Sequence, residues 1–326
     1  MKALEEKIFS VTTSKEFSET SLEVFNFQYT NNAVYQKFCN LLGRTPNKVK
    51  TIEDIPFLPI SFFKQFKITC TIEQEEILFT SSGTTGTQTS KHYVHKLALY
   101  ERSFKQGFKQ FFNSPKDYAV LALLPSYLER EGSSLIYMCE HLINKSNHPE
   151  SGFYLNNHED LIKNILSLEQ QNIPILLIGV SFALLDIAEK YKLKLHNTIV
   201  METGGMKGRR KEMIREELHE RLKNGLGVEK IYSEYGMTEL LSQAYSLGDG
   251  IFHCTNTMQI IIREPEDELQ LLPNGKTGGI NVIDLANLYS CSFIATQDLG
   301  KKIGDNTYEI LGRFDYSDIR GCNLLI

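Results

Sequence analysis

The chain has 326 residues, 41% hydrophobic and 23% charged, enough material for one large or two modest globular domains. Its 40 acidic and 35 basic residues give a net charge of −5 with no long like-charged block, which leaves no footprint for nucleic acid or an anionic membrane surface. The start, Met1 to Lys7, is charged rather than apolar, and the longest apolar run, Ile173 to Val180, is too short to span a bilayer, so a cytoplasmic protein is expected.

Residues 1 to about 55 read as helical, with Leu22, Phe25 and Tyr29, then Val34, Tyr35, Phe38, Leu41 and Leu42 at three- and four-residue spacings. Two prolines and dense apolar content make Pro56 to Lys64 an extended buried connector ending in a turn of helix. The stretch from Thr80 to Thr87 then packs six hydroxyl side chains and two glycines into eight residues directly after Ile77-Leu78. Glycines three apart let the backbone turn sharply, and inward N–H groups joined by Ser/Thr hydroxyls can hold phosphate oxygens without bulk. It is not a Walker A loop, because Gly86 and Lys91 do not fall in that register. A plain Ser/Thr/Gly surface linker is the competing reading.

Leu97 to Phe112 has helical apolar spacing. Strand and helix then alternate: a strand at Tyr118–Leu124, a helix with Leu161, Ile165 and Leu168, a strand at Ile175–Ile178, a helix starting at Phe182, a strand at Thr198–Met201, a charged helix over Arg209–Leu222 and a short strand at Lys230–Tyr232. Continuous apolar strands between helices imply a mostly parallel sheet covered on both faces, with ligands at the carboxyl ends of its strands. After Gly250 the pattern shifts to short strands at Met258–Arg263, Glu268–Leu272 and Gly278–Ile283 with a turn at Pro273-Asn274-Gly275, a small β-rich subdomain.

Three further stretches fall at predicted strand ends. Met201 to Gly208 exposes backbone at Gly204-Gly205, as recognition of a nucleobase edge needs, though a strand-to-helix turn with an N-cap fits equally. Tyr232 to Glu239 offers an aromatic to stack on a base, a hydroxyl for phosphate and a carboxylate for Mg²⁺. Gln297-Asp298-Leu299-Gly300, with Gly312 to Tyr316, supplies a carboxylate and an arginine for a ribose diol. The six cysteines, Cys39, Cys70, Cys139, Cys254, Cys291 and Cys322, lack any C-x-x-C pair and read as free thiols. His92-x-x-His95 puts two imidazoles on one face if helical, with no third ligand near in sequence, and His253-Cys254 would point to opposite faces of a strand.

The ordered series Ser-Gly-Thr-Thr-Gly, Gly-Gly, Tyr-Gly-Met-Thr-Glu, Gln-Asp and Gly-Arg-Phe-Asp, across roughly residues 55 to 326, resembles the signature motifs of the adenylate-forming superfamily. Within it, Pro56 to Lys64, Pro125 to Arg130 and the ending Ile319 to Leu325 are similar to the acyl-protein synthetases of bacterial bioluminescence operons. The resemblance implies an α/β fold, the large N-terminal domain of adenylate-forming enzymes over 1–311 with its β-rich part at about 251–311, and a short hinge and tail over 312–326 carrying Cys322.

It implies ATP and Mg²⁺ as cofactors, with Ser81, Ser82, Gly83, Thr84, Thr85 and Gly86 as phosphate loop, and Gly204, Gly205, Tyr235 and Gly236 around adenine. Thr238 and Glu239 would meet phosphate and Mg²⁺, Asp298 and Arg313 the ribose, and Asp315 would be the pivot. The apolar strand ends place an acyl pocket at Pro125, Ser126, Tyr127, Val180 and Ser181. The chain departs from the superfamily in carrying Thr89 where a lysine usually follows the loop. It also ends eleven residues after Asp315, where the superfamily continues into a domain of about 100 residues.

The activity implied is fatty-acid activation as acyl-adenylate, transfer to Cys322 as a thioester, and delivery to an acyl reductase partner. An acyl- or aryl-CoA ligase similar to phenylacetate-CoA ligases, or a catalytically silent nucleotide-binding module, are the alternatives.

Overall fold

The computed structural model of the chain describes residues 2–81, 89–124, 132–155, 157–204, 210 and 213–313. In chain order the elements are α1 (Lys2–Ser10), α2 (Ser14–Asn31), α3 (Ala33–Leu41), β1 (Leu58–Pro59), α4 (Phe62–Gln65), β2 (Ile77–Thr80), β3 (Lys91–Val94), α5 (Leu97–Phe112) and β4 (Ala119–Leu123). There follow α6 (Ser134–Ser146), β5 (Gly152–Tyr154), α7 (His158–Gln170), β6 (Ile175–Val180), α8 (Ser181–Tyr191), β7 (Thr198–Thr203), α9 (Arg215–Leu226), β8 (Tyr232–Tyr235) and β9 (Ala244–Ser246). The last are β10 (Ile251–Cys254), β11 (Met258–Arg263), β12 (Thr277–Asp284), β13 (Phe293–Gly304) and β14 (Thr307–Arg313). They form two compact units, one of residues 1–103, 239–242 and 252–326, the other of residues 104–238 and 243–251.

The second unit carries the alternating part of the sequence, in strand order β9-β8-β7-β6-β4-β5. Strands β5, β4, β6, β7 and β8 pair in parallel and β9 closes the edge antiparallel. Every residue of β4 and β6 is buried, which is why these runs show no alternation: a parallel strand covered on both faces has no polar side. Each Leu or Ile so buried contributes about 2 kcal/mol.

The first unit holds the sheet β11-β12-β13-β14-β10, with the short β1 beside β13. Pairing is antiparallel along β11-β12-β13-β14, and Leu58 lies opposite Ile294 in the parallel β1 contact. Phe293 anchors the aromatic core against Phe25, Tyr35 and Phe57. The helices in front of this sheet start on strong signals: Thr13 and Glu16 form a capping box at α2, with the Glu16 N–H on Thr13 Oγ1 at 3.2 Å and the Thr13 N–H on Glu16 Oε2 at 3.0 Å.

Several expected boundaries are corrected. The helix expected over Arg209–Leu222 is α9, Arg215–Leu226. Arg210 instead binds Asp186 and Glu189, and Glu216 and Glu217 supply negative charge in the first turn of α9. The strand expected at Lys230–Tyr232 runs Tyr232–Tyr235, because Ser233 and Glu234 are sealed between β7 and β9 despite their polarity. Glu268–Leu272 is not a strand. Asp267 accepts the Leu269 N–H through its side chain and turns the backbone, leaving one bridge between Leu271 and Arg263. His92 lies on β3, not on a helix. Gln297–Gly300, expected at a strand end, lies inside β13, because the strand continues to Gly304 in pairing with β14; α6 and β14 are elements that the sequence pattern does not predict.

Candidate active site

Strands β2 and β3 are an antiparallel hairpin with Thr80 opposite Lys91, and the Ser/Thr/Gly stretch is its connection. The neck is tied twice: the Ser81 N–H donates to Ser90 O at 3.1 Å, and the Ser90 N–H to Ser81 Oγ at 2.9 Å. Ser82, Gly83, Thr84, Thr85 and Gly86 lie outside the described residues. Buried Ser90 lies near enough to Glu239 to favour its ionised carboxylate. Sequence reading passed over Ser90 because it is one more hydroxyl in a run of them.

Glu239 is 5% exposed. Burial pushes its carboxyl up, the Ser90 hydrogen bond and the positive charge of Arg313 pull it down, and Asp298 pushes it up again. Asp298 and Arg313 are direct cross-strand partners on β13 and β14, with Arg313 Nε 3.7 Å from Asp298 Oδ1. The aspartate is nearly buried and the arginine side chain is 76% exposed. Ser81, Glu239, Asp298 and Arg313, far apart in sequence, thus all belong to the first unit, where Ser90 links the loop neck to Glu239 and the charges of Asp298 and Arg313 reach it.

In the second unit, the carboxyl ends of β6, β7 and β8 lie side by side, with Val180 opposite Thr203 and Thr203 opposite Glu234. Ser181 opens α8 and directs its hydroxyl at Glu202 Oε2, 3.1 Å away, and at Gly204 O, 3.2 Å away. Gly204 turns away from the strand at φ 68°. Tyr235 ends β8 half-buried, and the backbone at Gly236 runs so close to Glu234 that an added Cβ would stand 2.5 Å from its Oε1. Thr238 is half-buried. Gly205, Pro125, Ser126, Tyr127, Asp315 and Cys322 lie outside the described residues.

The two carboxylates beneath these turns have opposite characters. Burial would raise Glu202, but His219, with Nε2 at 3.6 Å, and Arg215, with Nε at 3.6 Å, together with Ser233 hold it below its usual value. Glu234 is pushed up to about 7 by burial, opposed by the Thr203 hydroxyl at 2.6 Å and assisted by the negative charge of Glu202. Both residues stand in stretches that the sequence singles out, yet nothing local tells which one gains cationic neighbours.

Among the described residues no three His, Cys, Asp or Glu side chains converge. His92 Nε2 is 2.9 Å from Asn287 Oδ1, and His95 Nε2 is 2.7 Å from Thr69 Oγ1. Mg²⁺, by contrast, is commonly held by one or two carboxylates plus phosphate oxygens, a demand that a single buried carboxylate such as Glu239 fits. Cys39, Cys70, Cys139, Cys254 and Cys291 are all buried. Burial pushes the Cys39 and Cys70 thiols up to about 12 and the other three higher still.

Residues 8–128 match the family model described as "Acyl-protein synthetase, LuxE". The chain is 41% identical over 64 residues to the long-chain-fatty-acid–luciferin-component ligase of Vibrio harveyi, and 38% over 68 residues to that of Aliivibrio fischeri. These matches cover 19% and 21% of this chain and only 16% and 18% of those relatives. An open conformation of 2-hydroxyisobutyryl-CoA ligase, in complex with 2-HIB-AMP and CoA, superposes with a TM-score of 0.70 at 13% identity, covering 94% of this chain and 72% of that one. ATP-bound MatB from Rhodopseudomonas palustris gives 0.55 at 18% identity, over 75% of this chain and 50% of that one. The expected α/β fold and the resemblance to acyl-protein synthetases are both borne out.

Proposed function

We propose that this chain, with the acyl-protein synthetase pattern over residues 8–128 and the fold of adenylate-forming ligases, activates a fatty acid with ATP and takes the acyl group onto Cys322 as a thioester. The observation that carries the reading is Glu239, a carboxylate buried in the same unit as the neck of the Ser/Thr/Gly loop, where Ser90 favours its ionised form. Mg²⁺ bound there would neutralise phosphate charge, and Glu239 is the residue that would hold it.

The remaining roles follow residue by residue. Ser81 to Gly86 and Thr238 donate to phosphate oxygens, and donors fixed before the reaction are worth most where negative charge develops. Gly204, Gly205, Tyr235 and Gly236 hold adenine, Tyr235 by its ring. Asp298 accepts from the ribose hydroxyls and Arg313 lies beside it. Pro125, Ser126, Tyr127, Val180 and Ser181 receive the acyl chain. The names of the Vibrio harveyi and Aliivibrio fischeri relatives, long-chain-fatty-acid–luciferin-component ligases, support that substrate class.

In the first step a carboxylate oxygen of the fatty acid attacks the α-phosphorus, the P–O bond to pyrophosphate breaks, and an acyl-adenylate forms. In the second the Cys322 thiolate attacks its carbonyl carbon, a C–S bond forms, and the C–O bond to AMP breaks. The choice of Cys322 is supported by the other five thiols, all buried and pushed far above neutrality, which makes them poor nucleophiles. Asp315 is the proposed pivot for the segment carrying Cys322, and an acyl reductase is the proposed receiver of the acyl group.

The test is fatty-acid-dependent exchange of labelled pyrophosphate into ATP, followed by mass analysis after incubation with labelled acid. A hydroxylamine-labile adduct on Cys322 is expected, lost in Cys322→Ser with exchange intact. No exchange across a panel of carboxylic acids sinks the reading; label passing to CoA with the mutant fully active replaces it by an acyl-CoA ligase.

A further inference from the structure

We propose that Asp284, Asn287 and His92 are positioning residues that fix Glu239 against the neck of the Ser/Thr/Gly loop. This deepens the reading of Glu239 as the metal carboxylate and rests on it. Residues 239–242 belong to no helix or strand, so no backbone ladder sets where Glu239 stands. Side chains do it instead.

Asn287 Nδ2 donates to Glu239 O at 2.8 Å. Asp284 Oδ2 accepts the N–H groups of Leu241 at 2.6 Å and Ser242 at 3.0 Å, and Oδ1 accepts the Ser242 hydroxyl at 2.6 Å. The same aspartate caps the short turn Leu285–Asn287 through the Ala286 N–H at 3.2 Å, which puts Asn287 in place. With the amide nitrogen of Asn287 committed to Glu239, its Oδ1 is the acceptor toward His92, so His92 Nε2 carries the proton.

His92 is opposite Phe79 on the hairpin whose neck is Ser81–Ser90. One hydrogen-bonded path therefore runs from β3 through His92 and Asn287 to the main chain of Glu239. The main chain of Glu239 is thereby tied to the strand that leads out of the loop. Asp284, Asn287 and His92 are all buried. Sealing three such groups away from water is costly unless every bond is made, and here the bonds converge on one short segment. Partners that orient a ligating carboxylate in this way commonly change metal affinity by 10- to 100-fold when removed.

The experiment compares metal-dependent and metal-free nucleotide binding. Mn²⁺–ATP binding is followed by water-proton relaxation, and ATP binding in EDTA by calorimetry, for wild type, His92→Ala, His92→Gln and Asn287→Ala. Expected is a roughly tenfold weakening of Mn²⁺–ATP in His92→Ala and Asn287→Ala, with metal-free ATP changed less than about twofold. His92→Gln, which keeps an N–H donor for Asn287 Oδ1, recovers most of the loss. If Asn287→Ala does not fold, the two His92 variants decide the matter. Equal losses in both arms mark a structural role and overturn the proposal, as does wild-type binding in both alanine variants. A wild type that binds no Mn²⁺–ATP and exchanges no pyrophosphate overturns the adenylation reading, and this proposal with it.

Discussion

Glu239 and Glu234 stand five positions apart in one stretch, and burial raises both carboxyls. Ser90 and the charge of Arg313 draw Glu239 down while Asp298 pushes it up, whereas Glu234 is opposed only by the Thr203 hydroxyl and pushed further up by Glu202. If Glu239 is the metal carboxylate, Glu239→Gln costs on the order of 10²-fold or more in pyrophosphate exchange. Wild-type exchange in that variant would remove the metal role. For Glu234 the folded value of about 7 lies above the unfolded value near 4.5. A raised carboxyl contributes stability that is fully present below the unfolded value and is lost as pH rises through the folded one. Wild type should therefore lose stability on the order of 3 kcal/mol, relative to Glu234→Gln, between about pH 4.5 and 7. Urea midpoints of the two proteins across that range test it, and parallel curves refute it. The positions of both carboxylates in the Tyr232 to Glu239 stretch are legible in the sequence; their protonation is not, because it depends on Thr203, Glu202 and Ser90, brought in from elsewhere in the chain.

At the scale of elements, apolar periodicity located α5 and the strands β4, β6 and β7 to within a residue or two, since buried parallel strands and one-sided helices leave a direct trace. Strand β8 left a poor one. Its Ser233 and Glu234 are interior because both neighbours are strands, a fact of sheet order rather than of local sequence. The α8–α9 contact is equally non-local. Gly225 of α9 lies so near Ala188 of α8 that an added Cβ would stand 2.4 Å from Ala188 O, a backbone atom that cannot rotate aside. Gly225→Ala should destabilise the protein by about 1–3 kcal/mol through forced separation of the helices, despite the better helix propensity of alanine. A thermal or urea midpoint equal to or above wild type would show that the helices part without cost.

Over the whole molecule, five of the six cysteines are buried with raised thiols, on elements from α3 to the segment before β13. With a thiol reagent at neutral pH, native protein should show at most one fast equivalent, absent in Cys322→Ser, and all the rest only after denaturation. Fast labelling of Cys254 or Cys139 would contradict the burial and remove the argument from elimination. The same exchange assay over a series of acids should show affinity climbing roughly fourfold per methylene until the pocket fills. A preference for acetate or amino acids would contradict an apolar pocket. The sequence by itself determined the α/β class, the order of motifs and the residue types available for phosphate, base, ribose and metal, because periodicity and composition are local properties of a chain. Only the tertiary structure decided that Ser90 meets Glu239, that Asp298 stands opposite Arg313, and that Asp284 and Asn287 hold residues 239–242. These contacts join positions 15 to 149 residues apart, and long-range pairing is set by sheet register and packing, which no local pattern encodes.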